Sequence, residues 1–181
     1  SRRFARHLLE IQKEVDIVRD EKLIEIMLSI LNGEPTSGGY PNFIKRFYRR
    51  IMSNVDFSQL TTLAKAEHLV KMVKQRGQFP AMYRHGICVV GTPTHATSAH
   101  CKDVNNAPAQ ENATPSTCNK CPFHYHNEAY LRNLETDLAE MSFKLGGESL
   151  MALERKQLQI SIIDLKAVIA DHKLRLKIGH S

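Results

Sequence analysis

Apolar positions recur at helical spacing at both ends of this 181-residue chain, and the pattern disappears between residues 85 and 122. Near the start, Leu8, Ile11, Val15 and Val18, then Ile24, Met27, Leu28 and Leu31, predict helix over 4–31, with Asp20 as a point where it could divide. The run N-G-E-P-T-S-G-G-Y-P at 32–41 is a breaker and turn cluster. Residues 42–53 are the most amphipathic: Ile44, Phe47, Tyr48 and Ile51 fall on one face, and Lys45, Arg46, Arg49 and Arg50 on the other. A short turn at 54–57 then leads to a helix with Ser58 as its expected cap. Leu63, Ala66, Val70 and Val73 point inward along it to Arg76, and Gly77 ends it. Lys65, Lys71, Lys74 and Arg76 point elsewhere.

The pattern returns after residue 122. Leu131, Leu134, Leu138, Met141 and Leu145 recur at steps of three and four, and so do Leu158, Ile162, Leu165, Ile169, His172 and Leu176. Gly146 and Gly147 separate the two stripes, and the second restarts at Glu148 and Ser149. A double glycine costs roughly 2 kcal/mol inside a continuous helix, so an antiparallel helical hairpin is the expected arrangement. His172 reads as a tolerated seam or end residue of that stripe. The fold class expected is mainly α: a helical bundle with a long pinned loop and a C-terminal hairpin. Three segments are expected in one compact unit: a basic helical region at 1–84, a cysteine-rich loop at 85–122 and the hairpin at 123–181.

Composition changes the picture in one respect. The formal net charge is +6, and it is unevenly placed. Residues 1–84 hold fifteen Lys and Arg against nine Asp and Glu, while the other two segments are balanced. Such asymmetry points to a polyanionic partner for the first half, with Lys45, Arg46, Arg49, Arg50, Lys71, Lys74 and Arg76 as candidate phosphate contacts on double-stranded DNA. A solvated basic face on an ordinary bundle is the competing reading. No run of 18 apolar residues exists, so no membrane span is expected. The start, S-R-R-F-A-R-H-L-L, lacks the apolar run of a secretory signal and has no initiator Met, as a fragment of a longer protein would.

The chemistry sits in the gap. Cys88, Cys101, Cys118 and Cys121 are the only cysteines, and all fall in a 38-residue stretch rich in Thr, Ser, Asn, Ala, Pro and His. Loops longer than about 12–15 residues are uncommon in compact domains unless something orders them. Four thiolates around one structural Zn²⁺ would do so, with C-N-K-C at 118–121 as a C-x2-C chelate. His95, His100, His124 and His126 are close enough to replace one cysteine, and iron is an alternative ion. Four cysteines without a signal favour a reducing cytoplasm and a metal over disulfides. Neither phosphate-loop, dinucleotide-binding nor H-E-x-x-H motifs occur. A nucleophile pair from His85 and Cys88 is one enzymatic alternative, beside a redox C-x2-C or a catalytic zinc, and metal use in a structural site explains the cysteines better.

G-I-C at 86–88, a middle cysteine at 101 and C-N-K-C-P-F at 118–123, followed by Leu-rich helices, form an ordered set. It resembles the cysteine-bearing C-terminal region of transposon and integrative-element tyrosine recombinases, the site-specific integrases, over roughly residues 84–145. The inserts between these cysteines are longer than in that pattern. The resemblance implies DNA binding and assembly. It does not extend to catalysis, which in that family needs R…H-x-x-R…Y. Here the one H-x-x-R is His172–Arg175, with no tyrosine after it. The expected function is therefore a non-catalytic, zinc-stabilised DNA-binding or assembly region of a recombinase or related mobile-element protein. The alternative is a helical oligomerisation module, self-associating through 125–178, with a structural zinc and no DNA binding.

Overall fold

A computed structural model of the chain describes residues 2–91, 97–105, 107–147 and 149–178. His95 and Glu148 lie outside these described residues. The protein is mainly helical, with a small antiparallel sheet at its centre. Helix α1 (Arg2–Leu31) runs through Asp20 without a break, and the Asp20 carboxylate accepts a 2.7 Å ion-pair hydrogen bond from Lys74. Its buried stripe is Leu23, Ile26, Met27 and Ile30, rotated from the expected Ile24–Met27–Leu28–Leu31 line, of which Met27 is buried and the other three are only partly covered. Leu8, Ile11, Val15 and Val18 are exposed, because the first half of α1 extends beyond the body.

Helix α2 (Gly39–Ile51) buries Tyr40, Pro41 and Ile44. Ser58 does not cap the next helix. Asn54 caps a one-turn helix, α3 (Val55–Ser58), and Thr61 accepts from the Ala64 amide at the start of α4 (Thr62–Gln75). That later start leaves Leu63 exposed, while Ala66, Leu69, Val70 and Val73 pack against α1. Gly77 follows with a φ of 69°, and the Gln78 amide reaches back to the Val73 carbonyl at 3.1 Å.

The stretch from 85 onward is not all loop. Strand β1 (Phe79–Tyr83) turns through Arg84 and His85 into β2 (Gly86–Val90), and β2 also pairs with β3 (His124–Tyr125). Alternation explains the placement: Ile87, Val89 and Tyr125 belong to the main core, while the paired Cys88 and His124 take the other face. Ser37 extends this edge, exchanging backbone hydrogen bonds of 2.8 and 2.9 Å with His126. Further along the segment, Thr114 caps α5 (Pro115–Cys118).

Asn127 caps α6 (Glu128–Leu145), accepting from the amides of Ala129 and Tyr130. Helix α7 (Ala152–Ile178) follows. Glu135 near the start of α6 pairs with Lys173 near the end of α7, so the two run past each other in opposite senses. A second apolar cluster, with Leu131, Leu134, Leu165, Val168, Ile169 and Leu176, fills the seam. Arg155 closes the turn, its guanidinium donating to the carbonyls of Leu145 and Gly147 at 2.9 and 3.0 Å. Among the described residues, no helix is long and apolar enough to cross a membrane.

Candidate metal centre

Three imidazoles meet where β3 faces α7. His124 and His126 alternate along the strand direction and so share a face, and His172 comes to them from the apolar stripe of α7. One ring nitrogen from each lies within 4.8 Å of the others, and this trio can hold a metal ion. The His126 and His172 rings stack at 3.6 Å with an 11° interplanar angle, and His124 lies 6.0 Å from both. His85, in the β1–β2 turn, brings a fourth ring within 5.7 Å of His124.

Neighbouring groups set the rings' hydrogen bonding. His126 Nδ1 donates to the His85 carbonyl at 2.9 Å, which puts its proton on Nδ1 and leaves a lone pair on Nε2. His172 Nδ1 shares a 2.8 Å hydrogen bond with the Ser37 hydroxyl. His126 Nε2, both nitrogens of His124 and His85 Nε2 are buried without a hydrogen-bond partner. At His126, a backbone bond at Nδ1 with an unpartnered Nε2 is the arrangement by which proteins orient metal-ligating histidines. Burial, with the other histidines and Arg175 adding repulsion, pushes the pKa values of His124, His126 and His172 down to about 3, 4 and 2. All three are therefore neutral at pH 7, the form a metal requires.

Folding also gathers the cysteines. Cys101 and Cys121 pack with Ala99 and Phe123, and half-buried Cys88 lies against them. All four thiols are free. Burial, and then the neighbouring thiols, push Cys88 and Cys118 up to about 12. The Cys121 amide bonds the Cys118 carbonyl at 3.0 Å, closing the tight turn expected of C-x2-C. Among the described residues, however, only the histidine trio has three ligand atoms within 4.8 Å of one another. The two clusters are linked through Asn119, inside the cysteine turn. Arg175 donates to its backbone carbonyl at 2.8 Å and to its side-chain oxygen, while its amide nitrogen donates to Asp171 at 2.9 Å.

Arg46, Arg50 and Arg76 line a single cleft of about 390 Å³ with Phe43, Phe47 and Ile51. Lys71 and Lys74 border a different hollow that also contains Asp20 and Glu67. Arg49 is exposed on α2, and Lys45 is half-buried.

Sequence reasoning treated His124 and His126 only as substitutes for a cysteine, and His172 as a seam residue. Two signals pointed to them: H-x-H spacing beside a short apolar strand, and an imidazole at a position in α7 that otherwise carries Leu or Ile. The fold and this cluster define a mainly helical protein with a buried histidine-rich centre. No family model, no curated protein and no solved structure matches the chain.

Proposed function

We propose that this chain is a metal-binding helical protein in which His124, His126 and His172 hold one transition-metal ion with a structural task. That task is to tie α7 to β3 and to Ser37. The observation that carries this reading is the group of buried imidazole nitrogens without partners. Each such atom costs about 1–3 kcal/mol when left dry and unpaired, and coordination removes that penalty. Imidazole donors suit Zn²⁺ as well as copper, nickel and iron. Zn²⁺ accepts three imidazole nitrogens among its ligands, and the trio supplies three. The three side chains are only 0–1% exposed, and that burial favours a structural task. A second Zn²⁺ on the four cysteines would pin the segment from Cys101 to Cys121 beside β2, and it requires their sulfurs to draw closer together than they stand in this structure. Elemental analysis of the purified, reduced chain should find two zinc ions. His172→Ala should remove one and Cys121→Ser the other. A chain that is isolated without metal and takes up no Zn²⁺, Cu²⁺ or Ni²⁺ on titration would overturn the proposal.

A second reading is favoured by the cleft of three arginines, which contains no acidic lining residue. In it the metal-held body presents the basic half to DNA, as an accessory, non-catalytic region of a site-specific recombinase or related mobile-element protein would. The α6–α7 pair then serves assembly. Binding of the whole chain to a duplex oligonucleotide, falling steeply with added salt, is the measurement that checks it.

A further inference from the structure

The cleft between the ends of α2 and α4 combines two features that a solvated basic face does not require. The first is an uncompensated set of guanidinium groups. Arg46, Arg50 and Arg76 all line it, all are exposed, and among the described residues none of them forms an ion pair. Part of this charge answers the negative C-terminal ends of the two helices: Arg50 lies in the last turn of α2 and Arg76 caps α4. Two helix ends carry roughly half a charge each, against three full positive charges, so the cleft keeps a net positive potential.

The second feature is aromatic. Phe43 and Phe47 stand one helical turn apart on α2 with parallel rings, 6.3 Å between centroids and 2° between planes. Arg76 lies over the Phe47 ring at 5.2 Å, so its planar guanidinium is held in place before any ligand arrives. Both rings are half-buried and both line the cleft. Its volume of about 390 Å³ lies within the range of about 300–1,000 Å³ common for small-ligand sites.

We propose that this cleft binds an unpaired nucleotide of single-stranded nucleic acid, with phosphate on Arg46, Arg50 and Arg76 and the base against Phe43, Phe47 and the Arg76 plane. This inference rests on the nucleic-acid reading of the basic half and narrows it. A duplex offers phosphates to the arginines but keeps its base faces stacked away from the rings. An unstacked base offers its face, and aromatic side chains beside a basic groove are the usual platform for it.

The test is a fluorescence-anisotropy titration of the full chain with an oligothymidylate and with a duplex of equal length, each at two salt concentrations. The single strand should bind more tightly than the duplex. Arg46→Ala, Arg50→Ala and Arg76→Ala should each weaken it by about tenfold and reduce its salt slope by about 0.7. Phe47→Leu should weaken single-strand binding by about fivefold or more and leave duplex binding unchanged. Arg76→Lys keeps the charge and loses the plane at an exposed position, so it carries the test if Phe47→Leu fails to fold. Equal loss for single strand and duplex, or no loss from Phe47→Leu and Arg76→Lys, overturns the cleft proposal and leaves the basic-face reading standing. No binding of either oligonucleotide overturns both.

Discussion

Gly86 has a φ of 148°, and a methyl group in place of its hydrogen would lie 2.3 Å from His124 Cε1 and 2.6 Å from the Tyr125 carbonyl oxygen. A second glycine, Gly38, has a φ of 94°, and a Cβ there would meet the His124 carbonyl oxygen at 2.1 Å. Positive φ already disfavours any other residue at both positions, and the close approach removes the remaining room. The two glycines thus hold open the space in which the His124 ring and the Ser37–His126 bridge sit. Gly86→Ala should therefore displace His124. The expected loss is about 2 kcal/mol or more of stability, together with weaker metal uptake. Urea denaturation and Zn²⁺ titration of the variant would check both, and an unchanged affinity would remove His124 from the ligand set.

Helix α7 carries the link between the two clusters. Ile162, Leu165, Val168, Ile169, His172 and Leu176 form its buried stripe, so the imidazole takes a position that packing alone would give to a leucine. Beside it, Asp171 and Arg175 grip Asn119 of the cysteine turn. Asn119 is buried, and its side chain can be removed without touching a candidate ligand. Asn119→Ala should leave the Asp171 carboxylate and part of the Arg175 guanidinium unpaired, costing about 1–3 kcal/mol. Amide hydrogen exchange across 168–176 should quicken relative to the Leu23–Ile30 turns of α1. Uniform protection would show that the seam with α6 holds α7 unaided.

At the scale of the whole molecule, the histidine centre ties stability to pH. Unfolded histidine takes up its proton near pH 6.5, whereas folded His126, His124 and His172 do so only at about 4, 3 and 2. Between those limits the unfolded chain binds more protons, so stability is fully present above about pH 6.5 and is lost as pH falls. The slope reaches up to about 1.4 kcal/mol per pH unit for each histidine. A metal-stripped sample should lose thermal stability between pH 6.5 and 4, and His172→Phe should flatten that loss. A melting temperature independent of pH over this window would contradict neutral burial of the trio. The metal-loaded chain should resist acid further and then release ion and fold together, because protons compete for the same nitrogens.

Local pattern alone established that this is a helical protein. The apolar stripes of 42–53, 131–145 and 158–176, the stop at Gly77 and the break at Gly146–Gly147 are all short-range signals, and helices follow from short-range contacts. The same holds for the tight C-x2-C turn and for the excess of basic residues before residue 85. Three features were settled only by tertiary structure. Strands β1 and β2 form a local hairpin within residues 79–90, but β2 gains its other partner β3 only after an intervening stretch of more than thirty residues, so no local window contained that second pairing. The rotation of the α1 stripe, and the exposure of its first half, depended on where α2 and α4 come to rest. The histidine trio depended on both, because His172 lies 46 residues beyond His126 and meets it only once α7 has folded back along α6. A ligand set drawn from a strand and a distant helix leaves no spacing to read. Its chemistry exists only when folding removes water from three imidazole rings and brings their nitrogens together.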